Sequence, residues 1–282
     1  MQLQKASRKK VKIKLQVGGS SGSGKTAGSL LLAHGMVKDW SKIALIDTEN
    51  GSAALYAESP ELKIGEFMHL ELSNFSPETV TKAIDLCITS GMEAIILDSG
   101  THVWEWCVAY NSKLSGNSFT NWAITLDKYN KFKDKMLQSP VHFIMTVRKK
   151  EEYAMEQDDK GKTKVVKKGL KEISKGEMSY EFTTVFDVDI AHQTTVSKDR
   201  TNIFMDGNPF MITSETGEKI LEWCESGKTI DIESMLRDVL DEVRSAQTEA
   251  ALGVIYRKYP ILSDNEDFKL ALTNKKESLK TV

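Results

Sequence analysis

The chain has 282 residues, enough for one large α/β domain with a small appendage. Its composition is 40% hydrophobic and 28% charged, which excludes global disorder and allows a packed core. The formal net charge of -2 excludes a polycation, so any surface for nucleic acid must arise from local charge.

Residues 1–10 form a basic tail that includes Lys5, Arg8, Lys9 and Lys10. Residues 11–17 predict a strand that runs into a glycine-rich loop, with a helix following over 25–38. Ile43 to Asp47 is a short apolar strand ending in Asp47-Thr48-Glu49, and Phe67 to Leu72 predicts another strand. Over 77–90, Val80, Ala83, Ile84, Cys87 and Ile88 recur at helical spacing, with Pro77 in the first turn and Ser76 as cap. Ala94 to Asp98 is a buried-type strand ending in a carboxylate; a helical region spans about 101–138, and Val141 to Val147 is the next strand. Strand and helix alternate, which predicts a mostly parallel sheet covered on both faces.

The pattern changes after Arg148. A charged stretch contains Asp158-Asp159-Lys160-Gly161, a turn signal, and predicts a projecting lysine-rich hairpin or loop at 148–180. Strands are expected again at about 184–192 and 201–206, joined through Lys198-Asp199-Arg200. Gly227 marks a boundary, giving an α/β core at 11–227 and a helical segment at 228–282 with an apolar stripe from Ile232 to Val243.

Cys87, Cys107 and Cys224 are odd in number and far apart, which suits a reducing cytoplasm better than a disulfide framework. No apolar run approaches the length of a membrane span, so a soluble cytoplasmic protein without a membrane partner is expected. The five histidines are scattered and predict no zinc site.

The loop Gly19-Ser20-Ser21-Gly22-Ser23-Gly24-Lys25-Thr26 carries the clearest chemistry. In a G-x-x-x-x-G-K-T element the glycines let the backbone turn its N–H groups onto an anion, and the following helix adds its dipole. Lys25 then reaches the β and γ phosphates of ATP, and Thr26 places its hydroxyl on Mg²⁺. Asp98 would hold the same ion through water, although an aspartate after an apolar run is also a common cap or turn residue.

With these motifs in place, the chain resembles the RecA-type recombination ATPases. The shared residues are the Asp47-Thr48-Glu49 strand end, Leu55-Tyr56-Ala57, and Asp98-Ser99. The resemblance implies a RecA-like P-loop core in which Glu49 orients or deprotonates the attacking water and Tyr56 stacks on adenine; core packing is the competing reading for Tyr56. Ala53 departs from that family, which has an aspartate near the adenine there, and this leaves base selectivity open. A closer resemblance is to phage-type ATP-binding proteins with a single RecA-like core, which include single-strand-annealing recombination proteins. It rests on these motifs with Thr146-Val147-Arg148, the lysine-rich insertion and Lys198-Asp199-Arg200-Thr201, over about residues 11–225.

That resemblance implies an ATPase acting on single-stranded DNA. It further implies a homo-oligomeric ring or filament, with a single-strand-binding protein as a further partner. Thr146 would sense the γ phosphate, or simply pack its strand. Lys198 and Arg200 would reach a neighbour's ATP, or form a solvated turn. The 148–175 segment holds ten basic and six acidic residues, a net of about +4. Arg148, Lys149, Lys150, Lys162, Lys164, Lys167 and Lys168 are the candidate DNA contacts there, against the reading of an exposed solubilising loop. Two other functions share the P-loop: a kinase of a small acceptor, and a nucleotide-dependent loader or regulatory module.

Overall fold

The computed structural model describes residues 8–157, 163–175, 178–205, 207–227 and 232–280. Two compact units are present: Val11–Ser226, and Met1–Lys10 with Gly227–Val282.

The larger unit is built on β1 (Lys14–Gly19), β2 (Ile43–Asp47), β3 (Met68–Glu71), β4 (Ala94–Asp98), β5 (His142–Gln157), β6 (Thr163–Glu172), β7 (Thr184–Val188) and β8 (Thr194–Asp199). The order is β3-β2-β4-β5-β1-β7-β8, and β6 pairs with β5. The pairs β2–β3, β2–β4, β4–β5, β1–β5 and β1–β7 are parallel, while β7–β8 and β5–β6 are antiparallel. Parallel strands need crossover connections, and α1 (Lys25–Val37), α2 (Pro77–Thr89), α3 (Gly100–Lys113) and α4 (Ser118–Gln138) lie in them; with α5 (Ser214–Glu225), which follows β8 and packs beside α1, they supply the two covering layers.

Strand alternation divides the core between two faces. Leu15, Val17, Ile43, Leu45, Ile96 and Ile144 point toward α1 and α5, where Leu30, Leu32, Ala33, Ile220 and Cys224 meet them. Ala44, Ile46, Ile95, Leu97, Phe143, Met145 and Val147 point the other way, onto Val80, Ile84, Val103, Tyr129, Phe132 and Met136 of α2, α3 and α4. Between α1 and α5, Gly35 and Gly217 bring the backbones together; a Cβ on Gly35 would lie 1.9 Å from the Ser214 carbonyl oxygen.

The expected α/β sheet is therefore present, and three local expectations change. The helical region at 101–138 is two helices, broken before Asn117, whose side chain accepts from the Phe119 N–H. The strand expected to end at Val147 continues to Gln157 because β6 supplies an antiparallel partner; the turn signal at 158–161 lies outside the described residues. The strands expected at 184–192 and 201–206 are instead Thr184–Val188 and Thr194–Asp199. Asp189 folds the chain back at once, its carboxylate accepting from the N–H groups of Ala191 and Gln193. Lys198-Asp199 thus ends a strand, and the Asp199 carboxylate organises the following turn by accepting from the Thr201 and Phe204 N–H groups.

In the second unit α6 (Ile232–Ser245), α7 (Glu249–Lys258) and α8 (Glu266–Lys280) pack around Val239, Val243, Leu252, Ile255, Leu262 and Phe268. Thr248 caps α7 by accepting from the Ala251 N–H. No described helix is long and apolar enough to cross a membrane.

Candidate active site

The C-terminal ends of β1, β2, β4 and β5 open on one cavity of about 650 Å³, a volume suited to a nucleotide-sized ligand. Its floor is the loop between β1 and α1. Gly22 and Gly24 have φ of +77° and +92°, values an L side chain rarely adopts, and the loop closes through the Ser23 N–H on the Ser20 carbonyl. The first helical hydrogen bond runs from the Gly28 N–H to the Gly24 carbonyl, so the open N-terminus of α1 faces the cavity. The Lys25 ammonium donates to the Ser20 carbonyl at 2.8 Å. Burial lowers its pKa, opposed by Asp98 and Glu49, while Arg148 lowers it further.

Asp98 is 2% exposed. The Thr26 hydroxyl donates to its Oδ2 at 2.5 Å, and the Thr146 hydroxyl donates to Oδ1. Burial raises the Asp98 pKa; the two hydroxyl donors pull it back, Glu49 raises it, and Lys25 lowers it. A buried carboxylate between two hydroxyls, beside an anion-binding loop, is an oxygen donor set that fits a hydrated Mg²⁺. Among the described residues no cluster of three or more His, Cys, Asp or Glu could hold a metal, so phosphate and water oxygens would complete the ion's shell.

Glu49 lies at the cavity wall just beyond β2. Its backbone is fixed by Asp47, a fully buried carboxylate that accepts from the N–H groups of Glu49 (2.5 Å) and Ala53 (3.0 Å) and contacts His69 Nε2 at 3.0 Å. Thr48 ties this strand end to the next: its hydroxyl accepts from the Ser99 N–H at 2.7 Å and lies 2.8 Å from His102 Nδ1. Sequence reasoning misses these supports. Their signal is Asp47 and Thr48 themselves, which the motif presents only as the context of Glu49.

The two residues after Val147 are separated by the pleat. Arg148 shares the face of Ile144 and Thr146 and lines the cavity, where its Nε and Nη2 both contact Glu49 Oε1 at 3.0 Å. Lys149 takes the opposite face: its ammonium pairs with Asp187 at 2.5 Å, with only 9% of the side chain exposed. Gly18 leaves the space, since a Cβ there would stand 2.4 Å from Lys149 Cε. Charge alone groups both with the candidate DNA contacts; in the structure Arg148 lines the cavity and Lys149 forms an internal ion pair. Lys150 is exposed, Lys164, Lys167 and Lys168 lie on β6, and Lys162 lies outside the described residues.

The cavity lining also includes the apolar side chains of Leu31, Leu55, Tyr56, Leu62, Met211 and Ile212. Tyr56 is partly buried against the core and also faces this space. Ala53 is fully buried in the core cluster against which Tyr56 packs. His192, another residue that no sequence motif singles out, reaches in from the β7–β8 turn, with Nδ1 2.9 Å from the Ser23 carbonyl. Lys198 and Arg200 do not line the cavity. The Lys198 ammonium donates to the Ser179 and Tyr180 carbonyls, and Arg200 Nη2 donates to the Tyr180 carbonyl at 3.1 Å.

A sequence profile described as "AAA domain" matches residues 11–222, most of the chain. No curated protein matches. Among solved structures, a KaiC-like protein from the hyperthermophilic archaeon Pyrococcus horikoshii OT3 aligns with 13% identity and a TM-score of 0.42, over 72% of this chain and 87% of its own.

Proposed function

This chain belongs to the AAA-domain family of P-loop ATPases, and we propose that it binds ATP with Mg²⁺ and hydrolyses it at the β1, β2, β4 and β5 strand ends. The observation that carries this reading is the convergence of Lys25, Thr26, Asp98 and Glu49 on one cavity. In this reading the loop N–H groups and Lys25 hold the phosphates, while Thr26 and Asp98 hold Mg²⁺, which offsets phosphate charge when bound. Glu49 accepts the proton of the attacking water, and Asp47 keeps it in position. Thr146, bonded to Asp98, links β5 to the γ-phosphate end. Tyr56 and Leu31 offer apolar surface to the base.

The finer proposal is a phage-type recombination or annealing protein that binds single-stranded DNA and works as an oligomer. Two features support it. Strand β5 carries Thr146 and Arg148 and continues without a break into the basic hairpin, so nucleotide and hairpin share one strand. Arg200 is exposed at the end of β8, where a neighbouring copy can meet it. Glu49 beside the loop favours water over a small acceptor, which sets ATPase above kinase. The ATPase rate against single-stranded DNA concentration, with mass measured in the same buffer, tests this. Stimulation with assembly is expected; hydrolysis unaffected by DNA leaves an ATPase of another task, and phosphorylated small molecules would mean a kinase.

A further inference from the structure

We propose that Arg148 is a catalytic cation supplied by the protein's own chain, held on Glu49 until phosphate draws it away. The inference rests on the ATPase reading and concerns the same site. Arg148 and Glu49 are 99 residues apart in sequence, yet two guanidinium nitrogens stand 3.0 Å from one carboxylate oxygen, Oε1. Two donors on a single oxygen form a weaker contact than a fork meeting both oxygens. The side chains are 39% and 25% exposed, so neither is locked by burial. Arg148 and Lys25 line the same cavity with Glu49 and Asp98, so a second cation stands in the space that holds the Lys25 ammonium.

The backbone of Arg148 marks a junction. Its N–H donates to the buried Thr101 hydroxyl at 2.9 Å, and its carbonyl accepts from the Ile173 N–H at 2.9 Å, just beyond β6. The residue thus closes the base of the β5–β6 hairpin on one side and faces the cavity on the other. While the guanidinium sits on Glu49, its two N–H donors occupy Oε1, the oxygen a water would otherwise approach. When the guanidinium moves to the transferring phosphoryl group it stabilises the developing charge, and Glu49 is freed to accept a proton. The water oxygen then bonds to the γ phosphorus as the bond to the bridging oxygen breaks. The bridging electron pair leaves with ADP, and the water proton passes to Glu49.

Wild type, Arg148→Ala and Arg148→Lys, all full length, are compared for ATP affinity, single-turnover hydrolysis and affinity for ADP with aluminium fluoride. With Ala, ATP affinity should stay within about five-fold, while hydrolysis falls about 10³-fold and binding of the fluoride complex weakens in parallel. Lys should restore hydrolysis in part, because an ammonium carries the charge without the planar fork. Mixing Arg148→Ala with Glu49→Gln protein should restore nothing, because no chain then holds both groups. Hydrolysis by the Ala and Lys proteins at or above the wild-type rate would make Arg148 only a restraint on Glu49 and overturn the proposal. Equal losses of ATP and fluoride-complex affinity would make it a ground-state ligand, and recovery on mixing would place its action between chains. If Ala fails to fold, Lys alone decides by the ratio of the two affinities. A wild-type protein that binds ATP without hydrolysing it would instead sink the ATPase reading itself.

Discussion

Asp98, a candidate metal-holding carboxylate, is buried at a cost to stability once it is charged. Burial raises its pKa, so the folded chain holds the Asp98 proton more tightly than the unfolded chain does. Stability from this group is therefore fullest at low pH and is lost as pH rises from 3.8, the ordinary value, through the raised one. Asp98→Asn should accordingly raise the melting temperature of the ligand-free protein at neutral pH, by about 2–4 °C for each kcal/mol relieved. The same change should weaken Mg²⁺-dependent ATP binding; calorimetric melts with and without Mg-ATP check both. Glu49→Gln should behave differently: nucleotide binding is retained, and turnover measured under saturating ATP falls about 10²–10⁴-fold, because the amide cannot accept a proton. The candidate roles of Lys25, Thr26, Asp98 and Glu49 are legible because short motifs specify their local geometry. The cavity position of Arg148 is not legible from charge composition, which ignores the pleat; counting two residues from Thr146 puts it on the cavity face.

At the scale of elements, legibility follows local signals. β2 and β4 are readable to the residue, since each is a fully buried apolar run ended by a carboxylate. The β7–β8 hairpin is misplaced from sequence because its turn depends on the Asp189 side chain, and because β8 alternates in burial with only Thr194 fully buried. The α1–α5 contact has no sequence signal, since Gly35 and Gly217 gain meaning only when two helices far apart in the chain touch; indeed the Gly35 Cβ position lies 2.8 Å from Gly217 Cα. Gly35→Ala sets two effects in opposition. Ala is favoured over Gly in a helix by about 1 kcal/mol, whereas a Cβ driven into backbone forces the helices apart. The obstruction is backbone and cannot rotate away, so net destabilisation of about 1–3 kcal/mol is expected, read from the urea midpoint at unchanged m-value.

For the molecule as a whole, the ATPase reading places all nucleotide contacts within Val11–Ser226, while a proposed role on DNA and in assembly draws on the hairpin and on Arg200. A polyanion on the hairpin would act on the strand that carries Arg148, and a neighbouring copy would bring Arg200 to a second site. These contributions separate by experiment. Replacing Lys164, Lys167 and Lys168 together by Ala should lower affinity for single-stranded DNA and flatten its salt dependence. The slope of log K against log salt should fall by about 0.7 for each phosphate that is no longer neutralised, as measured by anisotropy titrations at several salt concentrations. An unchanged slope would leave the hairpin a solvated arm. Arg200→Ala should keep ATP affinity and lose DNA-stimulated turnover. Mixed with Glu49→Gln protein, it should recover part of that turnover, because some interfaces then join an intact Glu49 to a neighbour's intact Arg200. Arg148 gives the opposite expectation in the same mixing format, since it and Glu49 already meet within one chain. Recovery with Arg200→Ala and none with Arg148→Ala would assign one cation to the neighbour and one to the chain itself. No recovery with either, where co-assembly is demonstrated directly, would restrict Arg200 to the Tyr180 carbonyl contact it makes at the end of β8.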